Sequence, residues 1–338
     1  MKPRQEIFDT YWRFAALRQE VFFSRIQQTP YPWTADEIIN THKFTNAYRA
    51  SDRVSQYLIK KVIYEDSDHS KQDLVFRIIL FKIFNKIETW DLLEKVLGDV
   101  NLKNFSIKRY SEILSNAMNE GLAIYTSAYM SCANKAFGYE KKHDNHLALI
   151  HHMMTQDDLT TKVLSSKSLE QLYQHLLKYP LIGKFMAYQL AIDLNYSELL
   201  DFSENDFVVA GPGAERGINK CFSDTGGKDL SYIIHWMADN QEKEFERLGL
   251  KFKSLWGRPL HAIDCQNLFC EVDKYSRVAF PELKSNRKRI KAKFNANTTK
   301  IEYFYPPKWN INKQVIEYLS QYKNNESNPH IEQLSLGI

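Results

Sequence analysis

The 338-residue sequence has few cysteines, and it lacks the signals of metal binding, secretion and membrane insertion. Its cysteines are either isolated or spaced C-x4-C, which is neither a zinc-ligand spacing nor a disulfide framework; they are Cys132, Cys221, Cys265 and Cys270. The N-terminus has no apolar signal region, and the best apolar run elsewhere, 78–81, is interrupted by Lys82. We therefore expect a cytoplasmic protein with reduced thiols, no metal, no cofactor and no membrane span.

A large charge surplus and the common nucleotide-binding motifs are also missing. The 45 Lys and Arg residues exceed the 41 Asp and Glu residues by only 4, so net charge alone does not identify a nucleic-acid partner. No G-x-x-x-x-G-K-[ST] sequence occurs, and strands do not alternate with helices. A P-loop kinase or a Rossmann domain is therefore not expected from this chain.

Apolar residues recur at helical spacing through most of the chain. The first such run, 6–27, ends before Pro30, and further helices are predicted at 44–64, 73–85, 89–97, 107–120, 145–155, 168–178, 228–248, 264–278 and 312–322. Short strands or extended segments are expected at 251–260 and 301–305. The sequence predicts a mainly α, two-lobed unit over 1–323, divided near 155–165, with minor short strands and a frayed tail at 324–338.

Residues 179–217 carry the most informative pattern, a tight turn between two helices followed by a loop with carboxylates. The turn from Pro180 to Gly183 has the form of a helix-hairpin-helix, in which backbone N–H groups hold a DNA phosphate. Gly183 and Lys184 are therefore candidate DNA contacts. The motif usually has a second glycine where this chain has Leu181, and the alternative is a plain connection between two core helices.

This region resembles the helix-hairpin-helix DNA glycosylases, in which a catalytic aspartate follows the hairpin. Asp201 and Asp206 follow Gly183 by 18 and 23 residues. We prefer Asp206 as the catalyst, because the apolar residues 207–209 that follow it predict partial burial and a shifted pKa. Its alternative role is a helix cap or turn carboxylate. Bifunctional members place a lysine where this chain has Phe185, so a lysine-dependent lyase is not expected.

The glycine-rich turn at 211–217 leads into another predicted helix. Gly211 and Gly213 flank a proline and would allow close backbone approach to DNA, and Arg216 could bind a phosphate through two hydrogen bonds. A plain loop is the alternative for this turn.

Two further segments are rich in short polar side chains, which is unusual for a solvated helix face. In 45–56 the candidate substrate-binding residues are Asn46, Arg49, Asp52 and Arg53, placed in two columns of one predicted helix. In 261–274 they are Asp264, Gln266 and Asn267. An internal ion-pair network is the alternative for the first segment, and His261 is expected to be structural rather than a metal ligand.

The basic surplus is concentrated in 284–300, which contains no acidic residue. Its seven basic residues are Lys284, Arg287, Lys288, Arg289, Lys291, Lys293 and Lys300, and Arg287, Lys288 and Arg289 are candidate DNA contacts. Binding through them would depend on salt concentration. A solvated basic face is the alternative.

Several segments together resemble one helical family, namely YWRFAALRQEVFFSRI, FTNAYRASDRVSQYLI, FRIILFKIFNKIETW, the block from Pro180 to Phe222, and HAIDCQNLFCEVDKYSRVAFPEL. This family contains alpha-glutamyl/putrescinyl thymine pyrophosphorylases and the helical domain of 5-hydroxymethyluracil DNA kinases. The resemblance implies a DNA-glycosylase-like fold and an enzyme that hypermodifies an extruded thymine derivative in phage or bacterial DNA. Alternatives are a monofunctional glycosylase that excises a modified pyrimidine, and a non-catalytic DNA-binding module that assists a separately encoded kinase or transferase.

Overall fold

The structure is a computed structural model that describes residues 1–65, 68–126, 134–283, 290, 292–294 and 301–323. These residues form mainly α-helices and one two-stranded sheet, which confirms the predicted mainly α fold class. The helices are α1 Gln5–Ile26, α2 Glu37–Thr41, α3 Arg53–Tyr57, α4 Lys71–Phe84, α5 Ile87–Leu97, α6 Ile107–Asn119, α7 Lys142–His151, α8 Leu159–Ser165, α9 Leu169–Leu177, α10 Lys184–Asn195, α11 Pro212–Cys221, α12 Leu230–Asp239, α13 Gln241–Arg247, α14 Ala262–Ala279 and α15 Asn312–Lys323.

Short polar side chains determine where many of these helices begin. The side chain of the residue before the helix accepts a hydrogen bond from a first-turn N–H group at α2, α4, α6, α8, α9 and α12, where the caps are Asp36, Ser70, Ser106, Asp158, Ser168 and Asp229. Each such cap contributes about 1 kcal/mol. The helix boundaries are therefore set locally, which explains why periodicity and capping residues predict most of them.

The sheet is minor and joins the N-terminus to the middle of the chain. Strand β1, Lys2–Pro3, pairs antiparallel with β2, Phe222–Asp224. Neither segment expected to be extended forms a strand within the described residues. The first, 251–260, makes a tight turn in which Trp256 and Gly257 have positive φ, while 301–305 is irregular up to a 3₁₀ turn at Pro307–Trp309.

Two predicted helices differ from the structure. The helix at 228–248 is divided at Asn240, whose side-chain amide donates to the Trp236 carbonyl 2.8 Å away and ends α12. The prediction of a helix at 44–64 is wrong for the first part of that segment. Residues 44–48 are not helical, Arg49–Ser51 is a 3₁₀ turn, and α3 continues into a π turn at Leu58–Ile63. Arg49 and Arg53 therefore do not share one helix.

The packing of α14 explains why the start of that segment is not helical. Backbone N–H groups of Thr45 and Arg49 donate to carboxylates on α14, at 3.2 Å to Glu271 and 2.8 Å to Asp264. These bonds hold residues 45–49 along α14 and replace the bonds that a helix would make.

One continuous apolar core connects the helices, with α14 packed against α1, α11 and α12. The approach of α11 to α14 is very close, because a Cβ atom added at Gly217 would lie 2.1 Å from the Phe269 carbonyl oxygen. None of the helices in the described ranges has the length and apolar character needed to cross a bilayer. The single unit over 1–323 and its division near 155–165 stay predictions, and the tail at 324–338 lies outside the described residues.

Candidate nucleic-acid interface and buried polar site

The turn between α9 and α10 contains a leucine in the left-handed backbone region. Leu181 has φ +67°, in the left-handed region that glycine adopts at no steric cost. The Ile182 N–H group closes the turn by donating to the Tyr179 carbonyl at 3.3 Å. Leu181 occupies the position at which the helix-hairpin-helix motif usually has its other glycine. Leucine here adopts a backbone conformation that favours glycine.

The end of this turn is open to solvent. Gly183 and Lys184 are exposed, and a Cβ atom added at Gly183 would meet nothing within 4 Å. No side chain caps the start of α10. This helix start is the positive end of the helix dipole, which favours a nearby anion.

The loop that follows α10 contains three carboxylates, Asp201, Glu204 and Asp206, which differ in exposure. Asp206 is exposed, so the predicted partial burial is wrong, and its N–H group donates to the Ser203 carbonyl at 3.2 Å. The side chain of Asp201 is 89% exposed. Glu204 is instead the buried carboxylate, with 4% exposure. No sequence signal distinguishes Glu204 from its neighbours.

Arg258 fixes one oxygen of the Glu204 carboxylate. Its Nη2 group donates to Glu204 Oε2 at 2.7 Å, and its guanidinium carbon lies 3.7 Å from the centre of the Trp309 ring. The other oxygen, Glu204 Oε1, is buried without a hydrogen-bond partner among the described residues. Glu204, Arg258 and Trp309 are hereafter called the Glu204 site. A buried carboxylate oxygen with no donor is costly and is therefore a candidate ligand-binding atom.

The negative charge of Glu204 acts on a second buried carboxylate, Asp264. Its two oxygens accept the N–H groups of Arg49 at 2.8 Å and His261 at 3.1 Å. Burial, together with the negative charge of Glu204, raises the pKa of Asp264 to about 7. Burial, together with the charge of Arg258, lowers the pKa of His261 to about 4. The carboxyl group of Asp264 can therefore exchange a proton near neutral pH.

The Arg49 side chain points into an internal network. It donates to Gln189 Oε1 at 3.0 Å, Tyr196 Oη at 3.0 Å and Asp193 Oδ1 at 2.6 Å. Lys82 reaches the other oxygen of Asp193 at 2.9 Å. This matches the alternative that the sequence left open, an internal ion-pair network. Arg53, by contrast, is exposed.

Asn46 and Asp52 form a second polar group with Arg18, a residue that the sequence patterns missed. The Asn46 N–H group donates to Asp52 Oδ1 at 2.8 Å, and the Asn46 side chain bonds the Ser51 carbonyl and the Arg18 guanidinium. Burial raises the pKa of Asp52 to about 7. Burial also lowers the pKa of Arg18 to about 10.

The two glycines of the 211–217 turn lie where neighbouring side chains approach α11. Gly211 is the N-cap of α11, and a Cβ atom there would lie 2.7 Å from the Phe185 ring in the first turn of α10. A Cβ atom at Gly213 would lie 2.9 Å from Cys270 Sγ. The beginnings of α10 and α11 are therefore neighbours. Both glycines have a packing role independent of any DNA contact.

The remaining candidates lie on α11 and α14 or outside the described residues. The Arg216 Nε group donates to Asp273 at 3.0 Å. Gln266 is buried and its amide contacts Cys270 Sγ at 3.2 Å, while Asn267 is half-buried. The candidates Arg287, Lys288 and Arg289 lie outside the described residues. Among the described residues, His, Cys, Asp and Glu side chains form no group of three that could hold a metal ion.

Comparison with known proteins places these features in a family. A family model described as "5-hmdU DNA kinase, helical domain" matches residues 5–285, which include the hairpin, the Glu204 loop and α14. The chain belongs to this family. The resemblance inferred from the sequence segments is thereby confirmed.

One curated relative, a 5-hmdU DNA kinase of Bacillus phage SP10, is 28% identical over 322 residues, covering 89% of this chain and 50% of that protein. The chain thus spans about half the length of the relative. No solved structure matches the chain.

Proposed function

We propose that this chain acts in the modification of 5-hydroxymethyluracil in DNA, holding the DNA backbone at the α9–α10 hairpin and receiving an extruded modified base near the Glu204 site. The observation that carries the proposal is the hairpin. Leu181 keeps a left-handed backbone that costs a leucine about 1–2 kcal/mol, and the turn leads directly into an uncapped, exposed helix start. Such a conformation is expected where the turn itself contacts a ligand.

The family membership supports DNA carrying 5-hydroxymethyluracil as the substrate, because the matching model and the phage relative are both named for 5-hmdU DNA kinases. The helix-hairpin-helix, glycosylase-like arrangement is part of the proposal. In enzymes that modify a base, the base leaves the duplex and is bound by hydrogen bonds and stacking. The free oxygen of Glu204 and the Arg258–Trp309 pair offer these two kinds of contact.

Chemistry at the hydroxymethyl group requires a proton acceptor for its O–H group, or a proton donor when its oxygen leaves. Asp206, on the exposed side of the loop, remains the proposed catalyst, and Glu204 is the second candidate, two residues earlier in the chain. A glycosylase that excises the modified base would use the same carboxylates to stabilise positive charge on the sugar.

A second candidate is an accessory module that presents DNA to a separately encoded kinase or transferase. The description of the matching family model, which names the helical domain of 5-hmdU DNA kinases, supports this candidate. In either case we propose that the chain works in the cytoplasm of a bacterium or a phage-infected cell.

Mass spectrometry of nucleosides separates the two candidates. The full chain is incubated with a duplex containing 5-hydroxymethyluracil, with and without nucleoside triphosphates and amino acids, and the digested nucleosides are quantified. The enzymatic proposal predicts loss or conversion of 5-hydroxymethyl-2′-deoxyuridine by the wild type. It further predicts at least about 100-fold slower conversion by Asp206→Asn or Glu204→Gln, since general acid or base catalysis contributes about that much.

Retained DNA binding in these variants would show that the loss is catalytic. Conversion at the wild-type rate in both variants would reject both carboxylates. Absence of any conversion by the wild type, with DNA binding intact, would favour the accessory module.

A further inference from the structure

Three cationic side chains converge on one buried carboxylate between α11 and α14. Asp273 is fully buried, Arg216 Nε lies 3.0 Å from Oδ2 and Lys220 Nζ lies 3.0 Å from Oδ1. Arg277, on α14, also forms an ion pair with Oδ2. Burial alone would raise the pKa of Asp273, but hydrogen bonds from Arg277 and Lys220 hold it below its ordinary value. Asp273 is therefore a carboxylate anchor for several positive charges.

The close packing of the helices fixes this arrangement. The absence of side chains at Gly213 and Gly217 lets α11 approach the Cys270 and Phe269 backbone of α14. Arg216 and Lys220 are four residues apart and so lie on one face of α11, directed at Asp273. Their positions are thus determined by the backbones of two packed helices.

The two cations on α11, Arg216 and Lys220, differ in exposure and in how many of their N–H groups already have an acceptor. Lys220 is only 7% exposed at its side chain and gives its ammonium group to both the carboxylate and the backbone carbonyl of Asp273. Arg216 is 28% exposed and is held only through Nε. Its Nη1 and Nη2 groups have no acceptor among the described residues. A guanidinium fixed in this way presents a pair of donors to a ligand.

We propose that Arg216 is a phosphate-binding subsite positioned by Asp273, and that it takes a non-bridging pair of phosphate oxygens. Arg216 and Lys220 of α11 share the single negative charge of Asp273, so an anion at Arg216 would offset the remaining positive charge. Guanidinium groups bind phosphate through two parallel hydrogen bonds.

The place of Arg216 in the fold indicates which phosphate it would bind. The N-cap of α11, Gly211, packs against Phe185 in the first turn of α10, next to the hairpin. Arg216 is five residues further along α11, or about 7.5 Å at the rise of an α-helix. The subsite lies on the helix that begins beside α10, and as a DNA contact it rests on the proposed function. A free pyrophosphate or nucleotide would offer the same chemistry.

The test uses the full chain and two probes. Affinity for a 5-hydroxymethyluracil duplex is measured by fluorescence anisotropy at several salt concentrations, and binding of inorganic pyrophosphate by calorimetry. Arg216→Ala is compared with Arg216→Lys, which retains the charge, and with Arg109→Ala, an exposed arginine on α6. Thermal unfolding of each variant verifies that it is folded.

We expect Arg216→Ala to weaken DNA binding about tenfold and to reduce the slope of log affinity against log salt by about 1, with Arg216→Lys retaining the slope. Unchanged DNA binding together with loss of pyrophosphate binding would assign the subsite to a free phosphoryl ligand. If the wild type binds no DNA but binds pyrophosphate through Arg216, the subsite stands and the proposed function fails. Unchanged binding of both probes in Arg216→Ala would overturn the subsite.

Discussion

Lys82 offers a stability prediction that follows directly from its burial. Its side chain is 3% exposed on α4, and its ammonium group lies 2.9 Å from Asp193 on α10, a carboxylate already paired with Arg49. Burial is the largest cause that lowers the pKa of Lys82, and the positive charge of Arg49 acts in the same direction. The ion pair with Asp193 opposes both, and the resulting pKa is about 8 against an ordinary value of 10.5.

This lowered pKa couples proton binding to folding. Between pH 8 and 10.5 the unfolded chain holds a proton on Lys82 that the folded chain has released, so the free energy of unfolding rises with pH in that window. The pKa difference of 10.5 − 8 = 2.5 corresponds to roughly 3 kcal/mol over the whole window. About 2 kcal/mol of this should develop between pH 7.5 and 9.5.

The assay is urea unfolding of the wild type and Lys82→Met at pH 7.5, 8.5 and 9.5. Methionine fills a similar volume and cannot titrate, and all other groups are shared, so the difference between the two proteins isolates Lys82. We expect the wild type to gain about 2 kcal/mol relative to the variant across this range. A difference that stays constant with pH would refute the account of a buried, destabilised ammonium group.

Two further stability predictions follow from the packing. Asp193→Asn should lower the free energy of unfolding by about 3–5 kcal/mol, because it leaves two buried cations without a carboxylate, and a loss below about 1 kcal/mol in urea unfolding would contradict this. Gly217→Ala should cost about 3 kcal/mol or more, since its Cβ atom would lie 2.1 Å from the rigid Phe269 backbone. Gly183→Ala, with open space around it, should cost less than about 1 kcal/mol, and equal costs for the two would disprove the packing argument.

The sequence predicts those features that depend on neighbouring residues. Helical periodicity, polar caps and the Pro180–Gly183 turn are local, and they account for most helices and for the position of the hairpin. The left-handed backbone of Leu181 is not predictable from its identity, because leucine rarely adopts it. This conformation depends on how α9 and α10 fix the course of the turn, which the identity of residue 181 does not reveal.

The burial of charged side chains depends on distant partners and was predicted less well. Glu204 is buried through Arg258, 54 residues away, while Asp206 beside it is exposed. Arg49 turns inward because Asp193, 144 residues away, receives its guanidinium. The many short polar side chains at 45–56 therefore indicated an unusual segment. They did not distinguish substrate binding from an internal ion-pair network.

The most direct test of the central claim is the affinity of the full chain for a duplex containing 5-hydroxymethyluracil, measured by anisotropy for the wild type and Lys184→Glu. Lys184 is exposed at the first position of α10, so the added negative charge would face a bound phosphate. We predict at least about tenfold weaker binding for Lys184→Glu. Lys243→Glu, an exposed lysine on α13, should leave the affinity within about twofold. Wild-type affinity in Lys184→Glu, or no DNA binding by the wild type, would contradict the hairpin as the DNA-binding element.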